Sequence, residues 1–368
     1  TCDDQNDNPN DGCNACAAVS WTSSVVVGAG AQRVANVSLF SPFGVAVAVD
    51  GTVYVSDRAD HRGWRISPSG EPTPFAGTGV FGDSGDGGPA ALAQLWGPAG
   101  LAVDSRGNLY IAAGGSHTVR RVDATTGISE TVAGSGTRCQ TPGPADGCGN
   151  DTLARAVDLN TPSALAFSAD GDLLIFERQR VRRLDLATER LSTIVGTGEN
   201  CTFGDSCGSG GLATAAQVAF GESLAVWDDV LYIGESGNSV IRSVDLKQGS
   251  SATIERVAGT PGVNCFPDTD PCGDGGAPDA ALLRSPSGLA FDDEGALYFA
   301  SDVNKRIRRI GLGDPSPTVS TVAGTGEACA SPTASCGDGM APSVALFGGQ
   351  LNSGPAGVRN MAFDSEGT

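Results

Sequence analysis

Residues 285–326 read SPSGLAFDDEGALYFASDVNKRIRRIGLGDPSPTVSTVAGTG, and this segment contains the repeated pattern of the chain in its clearest form. It contains four apolar runs, GLAFD, ALYFAS, RIRRIGL and VSTVAG, which are rich in Val, Ile, Leu, Tyr and Phe. Gly, Asp, Asn and Pro separate the runs, which is the pattern of short strands joined by tight turns. The stretch therefore predicts a four-stranded antiparallel meander.

The same meander recurs along the chain. Five successive units carry an equivalent apolar residue in the first strand, and these residues are Val45, Leu101, Leu165, Leu224 and Leu289. Repeated four-stranded units are typical of β-propellers, in which each unit forms one blade. The 53 glycines suit many tight turns, and sustained helical periodicity is absent. The sequence therefore predicts an all-β fold.

The two ends of the sequence resemble incomplete units. Residues 21–30 (WTSSVVVGAG) resemble a fourth strand, and residues 354–368 (GPAGVRNMAFDSEGT) resemble a first strand and its turn. Propellers often build one blade from both chain ends, because this leaves no strand edge unpaired. We therefore predict a six-bladed β-propeller over residues 21–368, with four-stranded antiparallel blades. The last blade is shared by both ends and is incomplete in this sequence, so we expect the natural chain to continue beyond Thr368.

The charge of the chain limits its partners. The formal net charge is −19, and no basic stripe is present that could neutralise phosphates, so we expect no nucleic-acid binding. No run of eighteen apolar residues occurs, and we expect no membrane span in this segment. Neither observation selects a function.

The cysteines indicate the compartment. Eight of the eleven form local pairs after successive units, namely Cys139 with Cys148, Cys201 with Cys207, Cys265 with Cys272, and Cys329 with Cys336. A zinc site is the competing interpretation, but four separate pairs without nearby His do not assemble one tetrahedral site easily. We favour four disulfides, and disulfides persist in oxidising compartments. The sequence therefore predicts an extracellular, cell-surface or periplasmic protein.

The first twenty residues differ in composition from the rest. They begin TCDDQNDNPNDGCNAC, which is almost devoid of apolar residues and needs cross-links to become ordered. This stretch resembles the short cysteine-rich repeat of bacterial surface proteins, in which a further cysteine lies upstream. The resemblance implies a chain that extends before Thr1 and a linker or repeat fragment over residues 1–20. The pairing of Cys2, Cys13 and Cys16 stays open.

The repeated units resemble NHL repeats of the bacterial type, whose blades end in VAGTG and are joined by GDGGPA connectors. The match includes residues 98–104, 107–111, 119–123, 131–136 and 85–95, and it recurs in residues 286–292, 306–310 and 321–326. The resemblance covers about nine tenths of the chain and implies a propeller fold. It leaves the function open, because the family includes interaction platforms, the propeller of teneurin-like cell-surface proteins, and some enzymes.

The connectors between units place an Asp before a short run of Ala and Leu. Asp86, Asp274 and Asp338 are in this position, and we interpret them as N-caps of one or two helical turns. Connectors from the fourth strand to the next first strand share a face with the loops between second and third strands. We therefore expect the disulfide loops and short helical turns to crowd one face of the ring.

The second strands often end in an acidic residue, and the positions in question are Asp57, Glu177, Glu235 and Asp302. If these tips converge on the central channel, they could hold a hard cation such as calcium. The alternative, which we favour, is that each acid caps its own turn or pairs with a nearby Arg. His61 and His117 follow the repeat and are too few for a zinc site built from three separate blades.

The third strands carry recurring arginines at Arg120, Arg121, Arg182, Arg183, Arg242, Arg308 and Arg309. They could form a ring for anionic partners. In so acidic a chain we expect them instead to pair with strand-end acids such as Asp123, Asp185 and Asp245.

Two functions of different classes fit these features. The favoured one is a secreted or cell-surface module that binds a protein or surface polymer, or other modules of the same long chain, through its disulfide-braced loop face. This function requires no cofactor. The alternative is a metal-dependent enzyme of the lactonase or lyase kind with a carboxylate site in the channel, for which calcium is the candidate ion. The sequence contains no nucleophile elbow, P-loop or Cys and His couple suited to catalysis, so we lean towards a binding module.

Overall fold

A computed structural model describes residues 39–140, 148–204, 206–265, 272–301 and 303–327, together with short pieces at 13–14, 17–18, 350–351, 354–355 and 361–363. Several predictions fall on positions outside the described residues. These are the boundary near residue 20, the strand at residues 21–30, Asp302, Asp338, and the pair Cys329 and Cys336.

The described residues form five four-stranded antiparallel blades, each ordered as the chain runs. Blade 1 consists of Pro42–Val47, Val53–Asp57, Arg62–Ile66 and Pro72–Ala76. Blade 2 consists of Pro98–Val103, Leu109–Ala113, Thr118–Val122 and Ile128–Ala133. Blade 3 consists of Pro162–Phe167, Leu173–Glu177, Arg180–Asp185 and Arg190–Val195. Blade 4 consists of Ser223–Trp227, Val230–Glu235, Val240–Asp245 and Ile254–Ala258. Blade 5 consists of Pro286–Phe291, Leu297–Ser301, Arg306–Ile310 and Val319–Ala323.

The prediction of six blades is wrong, because the described residues build five. The described strands at both ends pair locally instead of joining a shared sheet, and Phe363 packs against Tyr298 of blade 5 with ring centroids 5.0 Å apart. Cys13–Asn14 pairs with Ala17–Ala18, and Gln350–Leu351 pairs with Gly354–Pro355. The two strands of each pair are only two residues apart in the sequence, so their backbone hydrogen bonds form with little loss of loop-closure entropy. The sequence pattern showed strand-like ends but not their partners.

The core lies between the blades. Four clusters of buried apolar side chains each combine residues of two neighbouring blades. The first strands of successive blades pack against each other, and they approach closely where glycine replaces a side chain. A Cβ on Gly100 would lie 2.6 Å from the Cα of Ala164 in the next blade. Glycine therefore permits the contact that brings the innermost strands together.

The connectors contain short 3-10 turns rather than α-helices. The turns are Ala90–Leu92, Ala154–Ala156, Ala213–Ala215 and Pro278–Ala280, and a further turn, Leu246–Ser251, lies within blade 4. Two connectors also add a short strand to the outer edge of a blade, Gly88–Pro89 in blade 2 and Thr152–Leu153 in blade 3. These additions cover part of the edge that the fourth strand would otherwise expose. Within the described part of the chain, no helix is long and apolar enough to cross a membrane.

Candidate interaction face

The loops between second and third strands meet the connectors between blades on one side of the propeller, which we call the loop face. The start of each first strand pairs with the end of the second, as Pro98 does with Ala113. Backbone hydrogen bonds then join the loop after the second strand to the connector before the first strand. The N–H of Gly115 donates to the carbonyl of Trp96 at 2.9 Å, and the N–H of Gly114 donates to that of Gly97 at 3.2 Å.

Within the described ranges, three disulfides brace this face. They join Cys139 to Cys148, Cys201 to Cys207, and Cys265 to Cys272, and all six residues are buried. The following blade donates a hydrogen bond to a sulfur of each bridge, from Arg180 to Cys139, from Asn238 to Cys201 and from Asn304 to Cys272. Each disulfide loop is therefore held both covalently and by the next blade.

Four third-strand arginines are buried and hold the connectors in place. These residues are Arg120, Arg182, Arg242 and Arg308, with exposures of 0–2 %. In blade 4 the Arg242 guanidinium contacts Glu235 and donates to the carbonyls of Cys207 at 3.1 Å and Gln217 at 2.7 Å. Blade 1 has Trp64 at the equivalent position, opposite Val55 in the sheet. The arginine of one blade thus fixes the connector that leads into that blade.

The prediction that Asp86 and Asp274 are N-caps is wrong. The 3-10 turns after them have Pro89 and Ala277 as N-cap residues, and neither turn has a side-chain cap. Asp86 instead lies 2.5 Å from the Arg120 guanidinium and accepts from the N–H of Thr131 at 3.0 Å.

Asp274 makes the same pair of contacts in blade 5, with Arg308 at 2.5 Å and the N–H of Thr321 at 2.9 Å. Each aspartate therefore links its connector to the third and fourth strands of the next blade.

The strand-end acids Asp123 and Asp185 also differ from the prediction. Asp123 accepts from the N–H groups of Thr125 and Thr126, and Asp185 accepts from those of Ala187 and Thr188. These turn hydrogen bonds lower the pKa of both carboxyls, and the nearby arginines add a smaller effect.

Asp245 follows the same pattern, since it accepts from the N–H of Lys247 at 2.9 Å. The second arginine of a pair finds other acids, as Arg183 does with Asp172 at 2.6 Å and Asp170 at 3.2 Å.

The acids Asp57, Glu177 and Glu235 are buried at the ends of their second strands. Asp57 accepts from the N–H groups of Phe40 at 2.6 Å and Ser41 at 3.0 Å. Glu177 accepts from the N–H of Asn160 at 2.6 Å and from Arg182 at 3.0 Å.

Glu235 accepts from the N–H of Ala219 at 2.9 Å and contacts Arg242. Burial raises the pKa of Glu235, and Arg242 acts in the opposite direction. These contacts make each carboxylate part of the loop-face framework.

Calcium binding by these acids stays a prediction. Within the described ranges, no group of three or more His, Cys, Asp or Glu side chains is arranged to hold a metal ion. In blade 5 the register puts Ser301, opposite Arg306, where blades 1, 3 and 4 have the acid and blade 2 has Ala113. The hydroxyl of Ser301 donates to the carbonyl of Arg284 at 3.1 Å. Asp302, the predicted fourth ligand, follows this position and lies outside the described residues.

The two histidines connect neighbouring blades. Nδ1 of His61 accepts from the N–H of Gly97, and Nδ1 of His117 accepts from the N–H of Thr161, both at 3.2 Å. Burial lowers the pKa of His117, and the charge of Arg138 lowers it further. Both imidazoles therefore act as hydrogen-bond acceptors that hold the entry to the next blade.

A repeated position just before the first strands, which the sequence interpretation missed, has an exposed aromatic residue in three of the five blades. The position two residues before the blade-opening Pro, or its equivalent in blade 4, has Phe40, Trp96, Asn160, Phe220 and Arg284. The three aromatic side chains are 42–64 % exposed. An alignment of the five repeats would have revealed this position, because three of the five units have an aromatic residue there.

Trp96 forms one wall of a groove of about 500 Å³ on the loop face. Phe81, which is 62 % exposed, packs against the indole with ring centroids 5.6 Å apart. The indole lies on Gly115, where a Cβ would come within 2.4 Å of the ring. Asp83 and Arg138 also line the groove, so aromatic surface and both signs of charge meet there.

The opposite face has its own groove and an exposed tryptophan. The groove, of about 620 Å³, lies between blades 2 and 3 and is lined by Tyr110, Arg121, Glu130 and Phe167 among others. Trp227 stacks on Phe291 with ring centroids 5.6 Å apart and is partly exposed. This tryptophan provides a matched comparison for Trp96.

The repeated meanders, their connectors and the braced loop face define an NHL-repeat β-propeller. A family model described as the teneurin NHL domain matches residues 228–313. The chain is 31% identical to teneurin-3 of Danio rerio over 237 residues, which cover 61% of this chain and 8% of that protein. It is 30% identical to teneurin-4 of Homo sapiens over 288 residues, which cover 73% of this chain and 10% of that protein. The chain is thus a teneurin-like NHL propeller and spans at most about a tenth of the length of these relatives.

Solved structures agree on the fold. A Bacteroides thetaiotaomicron protein of unknown function aligns with a TM-score of 0.59 and 17% identity, covering 90% of this chain and 66% of that one. An auxiliary nutrient binding protein from the same organism aligns with a TM-score of 0.53 and 14% identity, covering 89% and 65%. At these identities the similarity concerns the propeller fold alone.

Proposed function

We propose that this propeller is a secreted or cell-surface interaction module that binds a partner polypeptide through its loop face. The observation that carries the proposal is the exposed Phe81 and Trp96 pair beside a groove. Aromatic residues are enriched among the few residues that dominate binding energy at interfaces. A pair of large exposed rings on a braced surface is the arrangement that such an anchor needs.

The rigidity of the loop face supports the same role. Disulfides, buried arginines and the histidine contacts hold the connectors before any partner arrives. Side chains that are ordered in advance lose little conformational entropy on binding, so more of the contact energy contributes to affinity. The three disulfides and the teneurin-like repeats also support an oxidising, extracellular setting.

A comparison of matched tryptophan variants tests the proposal. The disulfide-intact protein is immobilised and exposed to secreted and surface proteins of the cells that produce it, and retained proteins are identified by mass spectrometry. We expect one partner to be retained by the wild type and by Trp227→Leu, and to be lost with Trp96→Leu. Loss with Trp227→Leu and retention with Trp96→Leu would place the interface on the opposite face and contradict the proposal.

A further inference from the structure

Arg138 is an exposed arginine in the loop-face groove, and a hydrogen bond holds its side chain in position. Its Nε donates to Oδ1 of Asn160 at 3.1 Å. Among the described residues, no Asp or Glu lies within ion-pair distance of Arg138, although the chain carries a net charge of −19. In so acidic a protein, an exposed guanidinium for which the described residues supply no carboxylate partner is a candidate binding group.

The support behind Arg138 extends into the core of the blade. Asn160 is buried, and its N–H donates to Oε2 of Glu177 at 2.6 Å. The next residue along the chain, Cys139, is in a disulfide, and its N–H donates to the carbonyl of Leu159 at 3.0 Å. The backbone and Nε of Arg138 are therefore both fixed, and within the described part of the chain its two terminal nitrogens remain for a ligand. Such a planar fork matches a carboxylate through two parallel hydrogen bonds.

The rest of the groove adds an apolar wall. Phe81 and Trp96 line it together with Arg138, and the floor includes Gly115 and His117. An arginine fork beside an aromatic wall accommodates an acidic side chain that is next to an apolar one. Asp83 also lines the groove and opposes an anionic ligand by like-charge repulsion.

We infer that this groove receives a Glu or Asp of the partner polypeptide on Arg138, with a neighbouring apolar side chain packed on Trp96 and Phe81. The inference rests on the proposed function and specifies the chemistry of the partner. Arg138 is the binding residue, and Asn160 is a positioning residue that acts through it.

Two short peptides test the inference without knowledge of the partner. Acetyl-Gly-Phe-Glu-Gly-amide and its Gln counterpart are titrated into 15N-labelled protein, with the Trp96 indole N–H and the Arg138 Nε–H as NMR reporters. We expect the Glu peptide to bind about five- to tenfold more tightly than the Gln peptide, as for a hydrogen bond to a charged group. Equal binding of the two peptides overturns the inference.

Variants then assign the preference to the groove. Arg138→Lys should remove most of the Glu preference, because an ammonium does not form the planar fork. Arg155→Lys, at an exposed arginine that lies 3.8 Å from Glu130, is the matched control and should keep the preference. Asn160→Ala should reduce the Glu-to-Gln ratio while the fold, monitored by the amide spectrum, stays intact. Retention of the full preference in Arg138→Lys contradicts the inference.

Substitutions of the two charged residues of the groove, Asp83 and Arg138, should change the affinity for the Glu peptide in opposite directions. Asp83→Asn should tighten binding of the Glu peptide by about twofold or more, because it removes a like charge. If Asp83→Asn weakens binding of a Lys peptide and Arg138→Lys has no effect on the Glu peptide, the groove selects a cation and the inference is wrong. If the peptides show no preference but Trp96→Leu still loses the partner, the proposed function stands and only the carboxylate assignment falls.

Discussion

Replacing the buried Arg242 by Met should strongly destabilise the propeller. Its guanidinium neutralises Glu235, which is fully buried, and donates to the carbonyls of Cys207 and Gln217 at 3.1 and 2.7 Å. The variant leaves Glu235 with the N–H of Ala219 as its remaining described partner. Breaking a buried ion pair on one side costs about 3–5 kcal/mol of unfolding free energy, and the two unmet carbonyls act in the same direction.

Urea unfolding under non-reducing conditions, followed by circular dichroism, measures the effect. Arg183→Met is the control, because Arg183 is partly exposed and pairs with the exposed Asp170 and the partly buried Asp172, and surface ion pairs contribute about 0–1 kcal/mol. Adding Glu235→Gln to Arg242→Met should recover part of the loss, because the amide carries no charge. If Arg242→Met is as stable as Arg183→Met, the conclusion that the buried arginines hold the connectors in place is refuted.

The same variant has a predicted pH dependence. Burial raises the folded-state pKa of Glu235 above its ordinary value, and removing Arg242 takes away the effect that opposes this rise. A group with a raised folded-state pKa binds its proton more tightly when folded, so acidification favours the folded state. The stability deficit of Arg242→Met should therefore be smaller at pH 5 than at pH 8, and a larger deficit at pH 5 would contradict the assignment.

Three further predictions concern the framework. Gly100→Ala places a Cβ 2.6 Å from a backbone carbon of blade 3 and should cost about 1–3 kcal/mol in urea unfolding, whereas Gly313→Ala, with open space around it, should stay within about 0.5 kcal/mol. Burial lowers the pKa of His117, so its contribution to stability is present above pH 6.5 and is lost as the pH falls; thermal melts from pH 7 to 5 should decline less for His117→Gln. Replacing Cys201 and Cys207 by Ser should cost about 2 kcal/mol, and an unchanged unfolding midpoint would show that this bridge does not brace the loop.

The strands were predictable because each blade repeats a strong local pattern. The apolar runs and turn residues of residues 285–326 correspond to the four strands of blade 5. The number of blades was not predictable in this way, since pairing of the chain ends depends on contacts between distant segments. The strand register was also not predictable at the level of single residues. Ser301, and not Asp302, occupies the last position of the second strand in blade 5, because a shift of one residue along a strand changes which side chain occupies an equivalent site.

The roles of the arginines required the tertiary structure. Neighbouring residues of a strand point to opposite faces, so Arg182 is buried and Arg183 is partly exposed. That alternation could have separated the two kinds of arginine from sequence alone. Their partners could not, because Asp86 and Arg120 are 34 residues apart and meet only when the connector folds against the next blade.

The affinity of the retained partner for three purified proteins is the most direct test of the loop face as the interaction surface. Biolayer interferometry compares the wild type with Trp96→Leu and Trp227→Leu at equal salt and with disulfides intact. Loss of a central aromatic anchor costs about 2 kcal/mol or more, so Trp96→Leu should bind at least about thirtyfold more weakly, and Trp227→Leu should match the wild type. Equal affinity of the wild type and Trp96→Leu would contradict this account.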